Sequence, residues 1–168
     1  MVTAFNLAHR MPWGQGESIS FVRPSMKFEK IKLAIETGLF NNDLCSLVTP
    51  PSMTEIINHS KSFPFPLSEE HIELLQQWGG SGLDEIRINS LERVECEDGF
   101  IAFANDYNGY IFKYNQLGHV YVEDSDGGDV KQLADSIADF IHNVFLGENC
   151  VDFYGVDWLD DLKKHKLV

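Results

Sequence analysis

Three cysteines, no long apolar run and a shortage of basic side chains frame what this sequence can be. Cys45, Cys96 and Cys150 are odd in number and widely separated. They cannot make a disulfide framework, which predicts a reducing, cytoplasmic setting. The apolar stretches are short and interrupted, far from the roughly 20 residues of a spanning helix. The opening Met1–Arg10 lacks a basic start followed by a sustained apolar segment, so no signal peptide is expected. There are 13 Lys and Arg against 26 Asp and Glu, a formal net charge of −13. Phosphate backbones are repelled by such a surface, so nucleic acid is not an expected partner.

Signatures of chemistry are also missing. The chain has no Gly-x-x-x-x-Gly-Lys phosphate loop, no Gly-x-Ser-x-Gly elbow and no Gly-x-Gly-x-x-Gly dinucleotide turn. Gly79-Gly80-Ser81-Gly82 follows a predicted helix instead of joining a strand to one, so it reads as a helix end and turn. Six histidines show no zinc spacing among themselves or with the cysteines. Glu95 and Glu97 flank Cys96 and disfavour its thiolate. The acidic stretch Glu123-Asp-Ser-Asp-Gly-Gly-Asp129 resembles a calcium loop only superficially. Counted from Asp124, position five is Gly128, position six is Asp129 and position twelve is Asp135, so the register fails. The expectation is a protein with no catalytic residues, no metal and no cofactor. An enzyme, such as a divalent-metal hydrolase built on that turn, is the third-ranked reading.

What is present suits a globular fold. The 168 residues are 43% hydrophobic and 12% aromatic, enough for one domain that buries roughly 68–70% of its unfolded surface. Residues 1–50 read as an N-terminal extension packed on or near a domain over 51–168. The first contains a short strand near Ile19–Val22 and a helix bearing Phe28, Ile31, Ala34 and Ile35, stopped by Gly38. Ser52 or Thr54 caps a second helix with Ile56 and Ile57. Ser68, followed by Glu69, Glu70 and Glu73, caps a third that ends at Gly79-Gly80. From Ile86 the period becomes two, with strands at Ile86/Ile88, Leu91/Val94, Phe100–Asn105, Gly109–Tyr114 and His119–Val122. Asp106-Tyr-Asn108-Gly109 and Asn115-Gln-Leu-Gly118 are tight-turn signals, which make neighbouring strands antiparallel. Asp129 is expected to cap a helix running to Gly147, and the tail to add an edge strand at Val151–Tyr154 and a short helix. The predicted class is α+β, a mostly antiparallel sheet of about five or six strands packed against helices.

The charge is uneven along the chain. Residues 1–63 sum to +1 and residues 64–168 to −14; between Glu95 and Asp161 there are 15 acids against Lys113 and Lys131 alone. A solvated acidic face satisfies solubility. A concentrated one also steers a basic partner. Composition leaves both open.

Three segments carry a resemblance. Phe65-Pro-Leu-Ser-Glu-Glu-His-Ile-Glu-Leu-Leu-Gln-Gln-Trp-Gly-Gly80 resembles the opening helix of the SUKH superfamily, the Smi/Knr-type proteins. Gly99-Phe-Ile-Ala-Phe-Ala-Asn-Asp-Tyr-Asn-Gly-Tyr-Ile-Phe112 with Gly118-His-Val-Tyr-Val-Glu-Asp124 is similar to its sheet core. Val130-Lys-Gln-Leu-Ala-Asp-Ser-Ile-Ala-Asp-Phe-Ile141 resembles its last helix. The resemblance spans about residues 52–147; residues 1–50 and the tail after Gly147 depart from it. It implies a SUKH-like α+β fold and a non-catalytic binding role. Many bacterial members are immunity proteins that neutralise a cognate toxin, often a nuclease, and a fungal relative is a cell-wall synthesis regulator acting as an interaction hub. The expected partner is thus a protein toxin with a basic surface, met by Glu95, Glu97, Asp98, Asp106, Glu123, Asp124 and Asp126, with Tyr107 or Tyr110 as anchors. The alternative is a general interaction or scaffold module with no toxin partner.

Overall fold

Alternating side chains from Ile86 onward build one antiparallel sheet in the computed structural model, which describes residues 26–40 and 43–168. The expected strand near Ile19–Val22 lies outside the described residues. Among the described residues there are seven strands: β1 (Gly82–Leu83), β2 (Ile86–Ile88), β3 (Cys96–Glu97), β4 (Phe100–Asp106), β5 (Tyr110–Asn115), β6 (Val120–Asp124) and β7 (Lys131–Ala134). Their order is β1-β2-β4-β5-β6-β7, with β3 pairing β4 beside β2, and every pair is antiparallel. The α+β class with a mostly antiparallel sheet is therefore correct, with more strands than the sequence suggested.

One sheet face is apolar because alternate residues are. Ile101, Phe103, Phe112, Tyr114, Val120 and Val122 are buried there. Helices cover them: α1 (Glu29–Glu36), α2 (Met53–Ser60), α3 (Glu69–Trp78), α4 (Ile137–Asp139), which continues as a π-helical segment over Phe140–Phe145, and α5 (Val151–Lys164). Phe140 is the hinge pin of this packing, 4.6 Å from the Phe112 ring and 5.7 Å from Phe103. From α1, the residue before it and the turn after it, Phe28, Ile31, Ala34, Leu39 and Phe40 enter the same core, with Phe28 edge-on to Trp78.

The caps explain the helix starts. Ser52 accepts from the Glu55 N–H while the Glu55 carboxylate accepts from the Ser52 N–H, a complete capping box. Ser68 accepts from the His71 N–H. His71 itself is fully buried, with Nδ1 3.0 Å from the Tyr114 hydroxyl, which also accepts from the Ser68 N–H. This contact ties α3 to β5. Burial drives the His71 pKa down to about 3 and the Tyr114 pKa up to about 12, so both are neutral at ordinary pH.

Three sequence expectations fail. The helix expected over 129–147 starts only after Ser136, whose side chain accepts from the Asp139 N–H. Its expected first half is β7, paired to β6 through Tyr121↔Gln132 and Val122↔Lys131. Leu133 and Ala134 fit either period, and the otherwise unpaired edge of β6 decides for a strand. The expected strand at Val151–Tyr154 is instead a helical turn that opens α5, where Phe153 packs on Phe112 and Tyr154 on Phe145; the helix then breaks at Gly155 (φ 79°, ψ −179°) and resumes with Trp158 and Leu162 buried. The Trp158 indole N–H donates to the Phe145 carbonyl (2.9 Å), which satisfies an orphan acceptor at the end of the preceding helix. Finally, Leu91/Val94 is no strand; Leu91–Arg93 is a short 3₁₀ turn that buries both apolar residues at i, i+3 spacing. Gly147 is required for packing: a Cβ there would lie 2.4 Å from the His142 carbonyl oxygen.

Candidate functional site

The residues singled out from the sequence fall at two ends of the sheet. β3 and β4 are joined by Asp98-Gly99, with φ of 49° and 81°, a two-residue turn whose flanking pair is Glu97↔Phe100. Glu95, Glu97 and Asp98 stand at this end, all exposed. β4, seven residues long and ending at Asp106, sets that residue roughly 20 Å away at a strand's rise. At that far end Asp106 and Tyr107 begin the turn to β5, and the pair Tyr110↔Asp124 brings Glu123, Asp124 and Asp126 alongside. The Ser125 N–H donates to the Gly109 carbonyl (2.8 Å) and locks the two turns together.

The far end uses much of its charge internally. Asp106 is buried, and its Oδ1 accepts from the Asn108 and Tyr110 N–H groups, each at 2.9 Å. It shapes the hairpin and is not presented to a partner. Burial raises its pKa, opposed by those hydrogen bonds, and neighbouring Glu85 is raised by burial and by the charges of Asp84 and Asp106. Glu123 forms an ion pair with Lys113, whose ammonium also lies 4.8 Å from the centre of the Phe100 ring. Asp124 Oδ1 accepts from the Asp126 N–H (3.0 Å). Tyr110 packs edge-on against Phe153, 5.9 Å between centroids, so it belongs to the core side of the sheet. Of the two tyrosines, Tyr107 is the exposed one.

The near end is different. No ion pair or side-chain hydrogen bond involves Glu95, Glu97 or Asp98 among the described residues. Two of these carboxylates line a groove of about 550 Å³, together with the apolar Phe63, Pro64 and Val94 and with His59 and Glu92. The α2–α3 connector forms one wall. His59, at the end of α2, donates from Nε2 to the Val94 carbonyl (3.1 Å) and meets Phe63 edge-on at 5.5 Å. Glu92 is hydrogen-bonded to Ser90 and to backbone, which with His59 nearby holds its carboxyl below the usual range. A second hollow, of about 480 Å³, continues on the other side of Glu92, bounded by Val48, Pro50, Glu55 and Leu91. Sequence reasoning missed His59, Phe63, Pro64 and Glu92. The acid-rich Glu92-Arg-Val-Glu95-Cys-Glu97 was a visible signal, but the connector that completes the groove lies some thirty residues earlier.

Among the described residues no group of three or more His, Cys, Asp and Glu is arranged to hold a metal ion. Burial raises the pKa of all three cysteines, helped at Cys45 by the Asp84 charge, so each is a thiol at neutral pH. The arrangement presents exposed acidic side chains at the β3–β4 end, and none of the three thiols is an activated nucleophile. Within the described residues no helix is long and apolar enough to cross a membrane. No family model matches the chain, and no curated protein matches it at a significant level.

Proposed function

We propose that this chain is a non-catalytic, SUKH-like immunity protein that acts in the cytoplasm and neutralises a basic protein toxin, of nuclease type, by stoichiometric occlusion. The observation that carries the reading is the exposed, uncompensated acid of the β3–β4 end on a chain of net charge −13. A nuclease is basic where it holds phosphate, and an inhibitor that covers that surface gains from concentrated negative charge. Long-range attraction raises association toward about 10⁸–10⁹ M⁻¹s⁻¹, which favours capture of a toxin already inside the cell. The acidic surface needs no bond-making chemistry to do this.

The test is the gene neighbourhood followed by co-expression. The expected result is an adjacent reading frame for a large secreted protein with a short basic C-terminal domain, whose toxicity this chain abolishes as a 1:1 complex. Unrelated neighbours and no rescue would overturn the toxin reading and favour a general interaction module.

A further inference from the structure

The register of the β3–β4 hairpin dictates which way the β3 backbone points. Glu97 and Phe100 flank a two-residue turn and form a hydrogen-bonded pair; the next pair, Cys96↔Ile101, is then non-hydrogen-bonded. The alternation is seen again one step on, where the Ala102 N–H donates to the Glu95 carbonyl (3.4 Å). The Cys96 N–H and C=O therefore point away from β4. On that side no further strand pairs with β3 among the described residues. The open edge borders the groove of about 550 Å³, which Cys96 lines together with Glu92, Glu95 and Glu97. Among the described residues no Lys or Arg lines it, although Arg93 stands exposed on the neighbouring turn.

An exposed strand edge recognises extended backbone, and flanking pockets choose the side chains. Here the lining combines apolar Phe63, Pro64 and Val94 with the acids Glu92, Glu95 and Glu97. We infer that this groove receives an extended segment of the partner protein carrying arginine or lysine, which pairs with the free edge of β3 at Cys96 and sets its basic side chain among Glu92, Glu95 and Glu97. The inference rests on the partner-binding reading above and names the surface and the partner chemistry.

The test uses the full chain, ¹⁵N-labelled, titrated with the peptide acetyl-Val-Arg-Val-Arg-Val-amide and with its Val-Glu-Val-Glu-Val counterpart. The arginine peptide is expected to shift the Cys96 and Glu97 amides and to weaken about fivefold between about 50 and 200 mM salt. Glu95→Gln with Glu97→Gln is expected to weaken it about fivefold or more; both sites are exposed, so folding is retained. Shifts confined to the Asp124–Asp126 turn, equal binding of the glutamate peptide, or no shift at Cys96 would overturn the assignment. The two readings fail separately. If a toxin is captured but the double variant binds it unchanged, the groove assignment falls and the immunity reading stands; if the groove takes the arginine peptide but no neighbouring toxin exists, the reverse holds.

Discussion

At the β3–β4 turn, Glu95, Glu97 and Asp98 are exposed and unpaired among the described residues, whereas at the opposite end of β4 Asp106 is buried and Glu123 is neutralised by Lys113. Equal formal charge thus performs unequal work. A carboxylate that accepts hydrogen bonds from its own hairpin is part of the fold's construction, and its removal is felt as lost stability. An unpaired one contributes little to folding and is available to a partner. Counting acids along the chain mixes the two kinds.

The largest effect expected concerns the core on which both ends rest. His71 binds no proton in the fold until pH falls to about 3, but its unfolded form takes one up near 6.5. Its contribution is complete above pH 6.5 and is lost as pH falls from there toward about 3, on the order of 5 kcal/mol in all. Denaturation midpoints measured from pH 7 to 4 should fall steadily, and His71→Phe should flatten the slope; a flat wild-type profile would refute the role. Next comes Asp106→Ala, which strands two backbone N–H groups and is expected to lower stability by about 1–3 kcal/mol. Asp106→Asn keeps an acceptor and should lose little, while Glu97→Ala should change stability by less than about 0.5 kcal/mol. Equal losses at Asp106 and Glu97 would erase the distinction between the ends.

Charge reversal tests the partner side. Glu95→Lys with Glu97→Lys is expected to weaken a basic partner about tenfold, and Asp124→Lys with Asp126→Lys by less, with most of the latter in association rate and salt dependence. If the turn variant leaves both quantities unchanged, that turn is excluded from the interface; if it has the larger effect, the ends exchange roles. A small effect is also expected for Lys113→Met, which removes the ion pair with Glu123 at a cost under about 1 kcal/mol, read by urea unfolding.

Elements with a local cause were legible. Ser68 before Glu69-Glu70 marks α3, Asn108-Gly109 marks the β4–β5 hairpin, and Gly118, with φ of 88°, closes the next one. Where two periods fit the same residues, neighbours decided: Leu133-Ala134 became a strand against β6, and Phe153-Tyr154 became helix against Phe145 and Phe112. The candidate site was half legible. Its acids could be named, but two sets separated by the length of β4 read as one, and the groove wall came from a connector distant in sequence.

By itself, then, the sequence determined the class, the antiparallel hairpins, the caps and the excess of acid in residues 64–168, because each depends on residues a few positions apart. Tertiary structure alone decided which acids are buried in turns, which pair with lysine and which border an open strand edge. Burial and electrostatic environment depend on distances in space, and those are created only when β4 sets its two ends apart and the α2–α3 connector folds back beside β3.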